Sequence, residues 1–177
     1  MEKYTRTSER LLYRVLTPDD LDDFFELVKL QEVGVWMGIG RGKTKEEALA
    51  KIQLYYEQFL KYDYGCWGCF DKVSGKLVGQ AGLEPTIYDQ VGLIYAFLPE
   101  TWGHGYGEEA CRQALRYGFE DLGLDHIIAG IRENNQRSRR VVEKNGMVYQ
   151  NLEDFKGVTM TCYKITKDRW FNDKVPD

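Results

Sequence analysis

The sequence predicts an α+β fold: a central mixed β-sheet of about six or seven strands, with about four helices of an α/β/α-type arrangement. Three observations carry this. Residues 66–71 and 76–83 read as strands around Ser74-Gly75, a turn dipeptide, and so form a β-hairpin. Residues 91–98 are almost wholly apolar, the pattern of a strand covered on both faces. Segments of helical period lie among these strands, giving the order β, α, α, β, β, β, α, β, α, β, β. Hairpins beside crossover helices call for a mixed sheet rather than a doubly wound parallel one.

Taken in order, residues 11–16 are short and β-prone and make the first strand. Thr17-Pro18-Asp19-Asp20 starts a helix, with Thr as N-cap, Pro in the first turn and acids near the positive dipole end. Leu21, Phe24, Phe25 and Val28 continue it at helical spacing. Residues 34–43 hold four glycines and read as a loop. Thr44-x-x-Glu47 is a capping box before a second helix striped by Ala48, Ile52, Tyr55 and Phe59. After the hairpin and the apolar strand come Pro99, a glycine-rich stretch and a helix buried through Tyr106, Ala110, Ala114 and Gly118. Residues 126–131 form the next strand. Asn134 or Asn135 caps a helix over 136–145 that Gly146 stops, and strands near 148–153 and 158–166 finish the sheet.

A length of 177 residues fits one domain over 1–177, and no repeat or linker divides it. The net charge of −4 argues against nucleic acid as a partner, which needs a basic face. No apolar run reaches membrane-spanning length, and Met1 to Arg10 is polar, so no membrane partner is expected and the location expected is cytoplasmic. Cys66-x-x-Cys69 invites a zinc or redox reading, yet no second such pair follows, and residues three apart on a strand face opposite ways. All four cysteines are expected as free thiols, and no metal is implied.

The strongest local signal is Trp102-Gly103-His104-Gly105-Tyr106-Gly107-Glu108, between the apolar strand and an amphipathic helix. Glycines let backbone approach a ligand, and a helix start leaves N–H groups unpartnered at the positive end of its dipole. A diphosphate suits such a place. A dinucleotide fingerprint would need glycine where Glu108 stands, and a phosphate-binding P-loop would need Gly-Lys-Ser/Thr. A glycine-rich connection without a ligand is the plain alternative.

The loop resembles the coenzyme A signature of the GNAT superfamily of N-acetyltransferases, with Gly105 and Gly107 at its two small positions. Trp102, where Gln or Arg is usual, is similar to the subgroup named after ribosomal-protein N-terminal acetyltransferases. So are Asn135-x-x-Ser138, Glu143 to Met147, Leu12-Tyr13-Arg14, Trp36-Met37 and Thr44-x-x-Glu47-Ala48. The resemblance implies a sheet splayed between the fourth and fifth strands, with acetyl-CoA as co-substrate. Its pyrophosphate would rest on backbone from Gly103 to Glu108, including His104 and Tyr106, beside Trp102. Its pantetheine would pair with Ala96, Phe97 and Leu98, near Asn135 and Ser138.

By the same resemblance, a backbone N–H near Phe97 or Leu98 would stabilise developing negative charge. Ser138 would supply the proton that the leaving sulfur needs, since Val142 stands where many members have a tyrosine. Glu84 is a candidate base and substrate contact, with Glu153 and Asp154 as others. Trp36 is the preferred acceptor-site residue; Met37 is another candidate, as are Tyr55, Tyr56, Tyr64 and Trp67, aromatics that otherwise read as core. The implied acceptor is an amine-bearing small molecule or a protein N-terminus. A coenzyme A-binding module without catalysis is the alternative, and self-association as a homodimer through the last strands fits the sequence.

Overall fold

The computed structural model describes residues 1–38, 40–87, 89–155 and 157–172. Its sheet begins with β1 (Arg6–Thr7) and β2 (Leu11–Arg14). Helices α1 (Leu21–Val28), α2 (Gln31–Gly34) and α3 (Lys45–Tyr62) follow, then strands β3 (Cys66–Asp71), β4 (Leu77–Pro85) and β5 (Val91–Phe97). Helix α4 (Tyr106–Arg116) leads to β6 (His126–Arg132), and α5 (Gln136–Lys144) leads to β7 (Val148–Phe155), β8 (Val158–Thr166) and α6 (Lys167–Asn172). The strand order is β1-β2-β3-β4-β5-β6-β8-β7. Every neighbouring pair is antiparallel except β5 and β6, which run parallel and meet at one register pair, Gly92 opposite Ile128. That is the splay between the strands at 91–98 and 126–131.

The sheet has eight strands, not six or seven, and six α-helices lie among the described residues, not four. The additions are short. β1 has two residues and α2 four, below the length at which a period shows. The helix expected from Thr17 opens with a 3-10 turn over Pro18–Asp20, where the Asp20 carboxylate accepts from the Thr17 N–H at 2.8 Å. The loop expected over 34–43 is shorter, because α2 runs to Gly34; Ile39 lies outside the described residues. The capping box holds: Glu47 N–H donates to Thr44 Oγ1 at 3.2 Å, and Thr44 N–H to Glu47 Oε2 at 2.8 Å.

Two apolar clusters cover the sheet. One gathers Trp67, Cys69, Leu93 and Phe97 against Ala110, Ala114 and Leu115 of α4. The other gathers Cys66, Leu77 and Ala96 against Phe24, Leu27, Ile52 and Tyr55 of α1 and α3. Cys66 and Cys69 thus sit on opposite faces, and all four cysteines are free thiols. Trp67 is core, packed on Tyr13, Phe59 and Tyr117 with its indole N–H on the Tyr4 carbonyl at 2.9 Å. Truncating a buried Trp like this typically costs about 3–5 kcal/mol.

Candidate functional site

The splay exposes a strip of β5. Leu98 N–H donates to the Val78 carbonyl at 2.9 Å, which fixes the phase of the β4–β5 ladder. Antiparallel bonding alternates, so Ala96, opposite Gln80, turns its backbone toward β4, and Tyr95 and Phe97 turn theirs toward β6. The Phe97 carbonyl already accepts from the Trp102 indole N–H at 2.9 Å. The strip expected at Ala96, Phe97 and Leu98 is therefore shifted: Tyr95 and Phe97 face the gap, while Ala96 and Leu98 face away. Leu98 N–H is engaged with Val78, whereas Phe97 N–H points into the gap.

Beyond β5 the chain makes a 3-10 turn, Pro99–Thr101, and then the glycine loop. Gly103 and Gly105 have φ of 81° and 82°, in the left-handed region where a side chain is strained. Gly105 is the N-cap of α4, with no side-chain cap. Among the described residues, no protein acceptor meets the N–H groups of Gly103, Gly105, Tyr106, Gly107 or Glu108. His104 N–H has only a long contact to the Thr101 carbonyl, 3.4 Å, and the helix ladder begins with Glu109 N–H to Gly105. A Cβ added at Gly103 would meet nothing within 4 Å, so the backbone here borders open space. This is a cradle of the shape and polarity that a diphosphate fits.

The side chains around the loop hold its shape. Arg10 donates to the His104 carbonyl at 2.6 Å, pairs with Glu109 at 2.7 Å and lies over the Tyr106 ring. Arg137 stacks on Trp102, 3.9 Å from the ring centre. The first-turn acids are drawn to partners. Glu108 pairs with Lys144 at 2.9 Å. Burial pushes the Glu109 carboxyl up, but hydrogen bonds from Ser8 and from the Arg10 backbone and side chain outweigh that and hold it below its ordinary value.

Across the splay, Asn135 caps α5 by accepting from Ser138 N–H at 3.1 Å. The Ser138 hydroxyl is 2.6 Å from the Tyr95 hydroxyl, which also donates to the Ser138 carbonyl at 3.1 Å. Burial raises the Tyr95 phenol far above its usual range, so it stays protonated. Val142 is fully buried and brings no polar group. The tyrosine that meets α5 comes from β5 and sits on Ser138. Sequence reasoning missed Tyr95 inside the apolar run; the signal was a hydroxyl that a covered strand must satisfy.

The opposite face holds a cavity of about 160 Å³, walled by Met37, Arg41, Lys43, Lys51, Gln80 and Glu84 among others. Glycines shape its loop wall: a Cβ on Gly34 would strike the Arg41 carbonyl, and one on Gly42 the Lys29 carbonyl. Tyr55, at the cavity floor, donates to Gln80 at 3.1 Å. Burial pushes the Glu84 carboxyl up, and nearby Lys51 pulls it partly back. Glu84 lies opposite Gly92, where β5 still meets β6. Trp36 is half-buried and is not part of this wall; Met37 takes that place. Glu153 and Asp154 sit on β7, separated from β6 by β8, and are not brought to the cavity.

Fold and site define an α+β protein that offers a helix start to an anion beside a parted parallel strand pair, with a charged cavity behind the sheet. The chain belongs to the GNAT acetyltransferase family: the Acetyltransferase (GNAT) domain model matches residues 10–148. It is 26% identical over 173 residues to the uncharacterized N-acetyltransferase YoaA of Bacillus subtilis, across 92% of this chain and 96% of that one. It is 32% identical over 166 residues to the FsC-acetyl coenzyme A-N(2)-transacetylase of Aspergillus fumigatus, across 82% of this chain and 68% of that one. The ribosomal-protein-S5-alanine acetyltransferase of Vibrio fischeri shares the fold with a TM-score of 0.78, at 16% identity over 94% of this chain and 98% of that one. The enzyme is thus an acetyltransferase of the GNAT family.

Proposed function

We propose that the enzyme moves acetyl from acetyl-CoA to a primary amine by direct transfer. The observation that carries this is the set of unpartnered N–H groups at Gly103, Gly105, Tyr106, Gly107 and Glu108, next to the Tyr95–Phe97 strip that faces the gap. The backbone of 103–108 would hold the pyrophosphate, and the gap-facing backbone of Tyr95 would bond a pantetheine amide as an added strand does. Acetyl-CoA supplies an acetyl group activated as a thioester. Relatives support the donor: one is named for acetyl coenzyme A.

The chain's own groups then move two protons. Glu84, whose burial makes it a stronger base than an exposed carboxylate, takes the proton that the acceptor ammonium must lose. Ser138 would pass its Oγ proton to the departing sulfur and regain one from the acylated nitrogen, while the Tyr95 hydroxyl, 2.6 Å away, stays protonated and holds the serine in place. Asn135 positions Ser138 through the helix cap. Phe97 N–H is placed to stabilise negative charge developing on the carbonyl oxygen.

A thiol-release assay with acetyl-CoA across small amines and peptide N-termini tests this. Saturable thiol release that depends on an amine supports it; acetyl-CoA binding without release on every amine contradicts it. The second reading, a coenzyme A-binding module without catalysis, rests on buried Val142 at the position of the common tyrosine. Ser138→Ala separates the two, because turnover falls while acetyl-CoA affinity stays only if Ser138 acts in transfer.

A further inference from the structure

The cavity behind the sheet carries more positive charge than its own carboxylates balance. Arg41 is ion-paired with Glu47 at 2.6 Å and cancels it. Lys43 and Lys51 both line the cavity and both are half-buried, yet neither is ion-paired among the described residues. Among the described residues Glu84 is the one carboxylate in the wall, and it offsets one lysine, not two. Lys43 is tethered here: its N–H donates to the Val28 carbonyl at 2.8 Å. Lys51 lies over the Tyr55 ring, 4.9 Å from its centre, and so leans inward. Burial and the neighbouring Lys51 together make the Lys43 ammonium easier to deprotonate than usual, the mark of a cation lacking its counter-charge.

The same cavity touches β5 directly and is tied to β6 through Gly38 of its wall. Ile94 of β5 lines it, one residue from Tyr95. Gly38 also lines it, and its carbonyl accepts from Arg132 of β6 at 3.1 Å. A molecule seated there stands at the mouth of the gap.

We propose that the acceptor is a small amine that also bears an anionic group, a carboxylate or phosphate, and that this group sits between Lys43 and Lys51 while the amine faces Glu84. This rests on the acetyl-transfer reading and names its substrate class. The cavity, about 160 Å³, seats a small fragment of about six to eight heavy atoms. The carboxylate or phosphate therefore lies close to the amine, as in an amino acid or an aminoalkyl phosphate. A neutral amine leaves the excess lysine charge unanswered, and desolvating an unpaired charge is costly.

The test uses matched pairs: γ-aminobutyrate against its amide, and phosphoethanolamine against ethanolamine. The expected result is that kcat/KM favours the anion of at least one pair by about tenfold or more. Lys43→Gln and Lys51→Gln should each cut that preference about fivefold or more, with the KM for acetyl-CoA unchanged. Equal use of both members of each pair, or a preference that survives in the double variant, overturns the proposal.

If no amine is acetylated, the transfer reading fails by itself. The anion seat is then judged by calorimetry of the coenzyme A-loaded protein with γ-aminobutyrate and inorganic phosphate. Saturable heat lost in the double variant supports the seat; the same heat in both proteins overturns it.

Discussion

The two sides of the β5–β6 gap are built by different means. On the cofactor side, six consecutive residues, 103–108, supply the cradle from backbone alone, and Gly103 and Gly105 are there for their φ angles. On the acceptor side, the cavity collects side chains from α1, α2, the loop after it, α3, β4 and β5. The first is a local device that helix geometry dictates. The second exists only once the sheet has formed. Charge behaves differently too: the loop side has its acids tied to Arg10 and Lys144, whereas the cavity side keeps lysines in excess.

The largest effect should come from putting charge into the backbone cradle. At Gly103 nothing crowds a new side chain, and Asp tolerates positive φ better than most residues. Gly103→Asp should weaken acetyl-CoA binding about 1,000-fold by calorimetry, since like-charge juxtaposition costs several kcal/mol. Gly103→Asn, with the same backbone strain and no charge, should keep most of the affinity. If both variants bind equally, the loop is not an anion site.

Across the gap, Ser138→Ala should lower kcat about 100-fold, the lower end for general-acid loss, with the acetyl-CoA dissociation constant nearly unchanged. A matching loss of affinity would assign Ser138 to binding instead.

On the acceptor side, Glu84→Gln should lower kcat/KM about thirtyfold, because water can replace part of a base's work. The sign of its pH dependence follows from burial. The Glu84 carboxyl in the folded protein lies above its ordinary value, so wild-type kcat/KM should rise with pH through that raised value. Glu84→Gln should lose this limb. Stability moves the other way. A raised folded pKa contributes stability that is whole below the unfolded carboxyl value and is lost as pH rises through the folded one. The melting temperature of Glu84→Gln relative to wild type should therefore climb with pH across that window.

The smallest effect should be Tyr95→Phe. It removes the hydroxyl that meets both Oγ and the carbonyl of Ser138 and leaves the serine its own proton, a change of about 1 kcal/mol or fivefold in kcat.

The sequence disclosed these regions unequally, and for physical reasons. Glycines at 103 and 105, the Asn135 cap and the Thr44–Glu47 box act within a few residues of themselves, so spacing reveals them. The splay came through resemblance, and the single Gly92–Ile128 bridge bears it out. Which β5 residues face the gap was not legible at the right phase. It depends on the register against β4, and a shift of one residue exchanges Ala96 and Leu98 for Tyr95 and Phe97. Tyr95 was hidden because an apolar run reads as core. Lys43 and Lys51 were hidden because a surface lysine and a cavity lysine look alike until the sheet brings Gln80 and Glu84 beside them. Trp36 drew attention as an aromatic in a glycine-rich loop, yet Met37 is the residue that reaches the wall.

The cradle itself is best tested by amide resonances. A nitrogen-15-labelled chain titrated with coenzyme A should show the signals of Gly103, Gly105 and Gly107 moving together and saturating with one dissociation constant, ahead of residues on α3 or β7. If the ligand binds while those three amides stay where they are, the phosphates rest elsewhere and the account of this site is wrong.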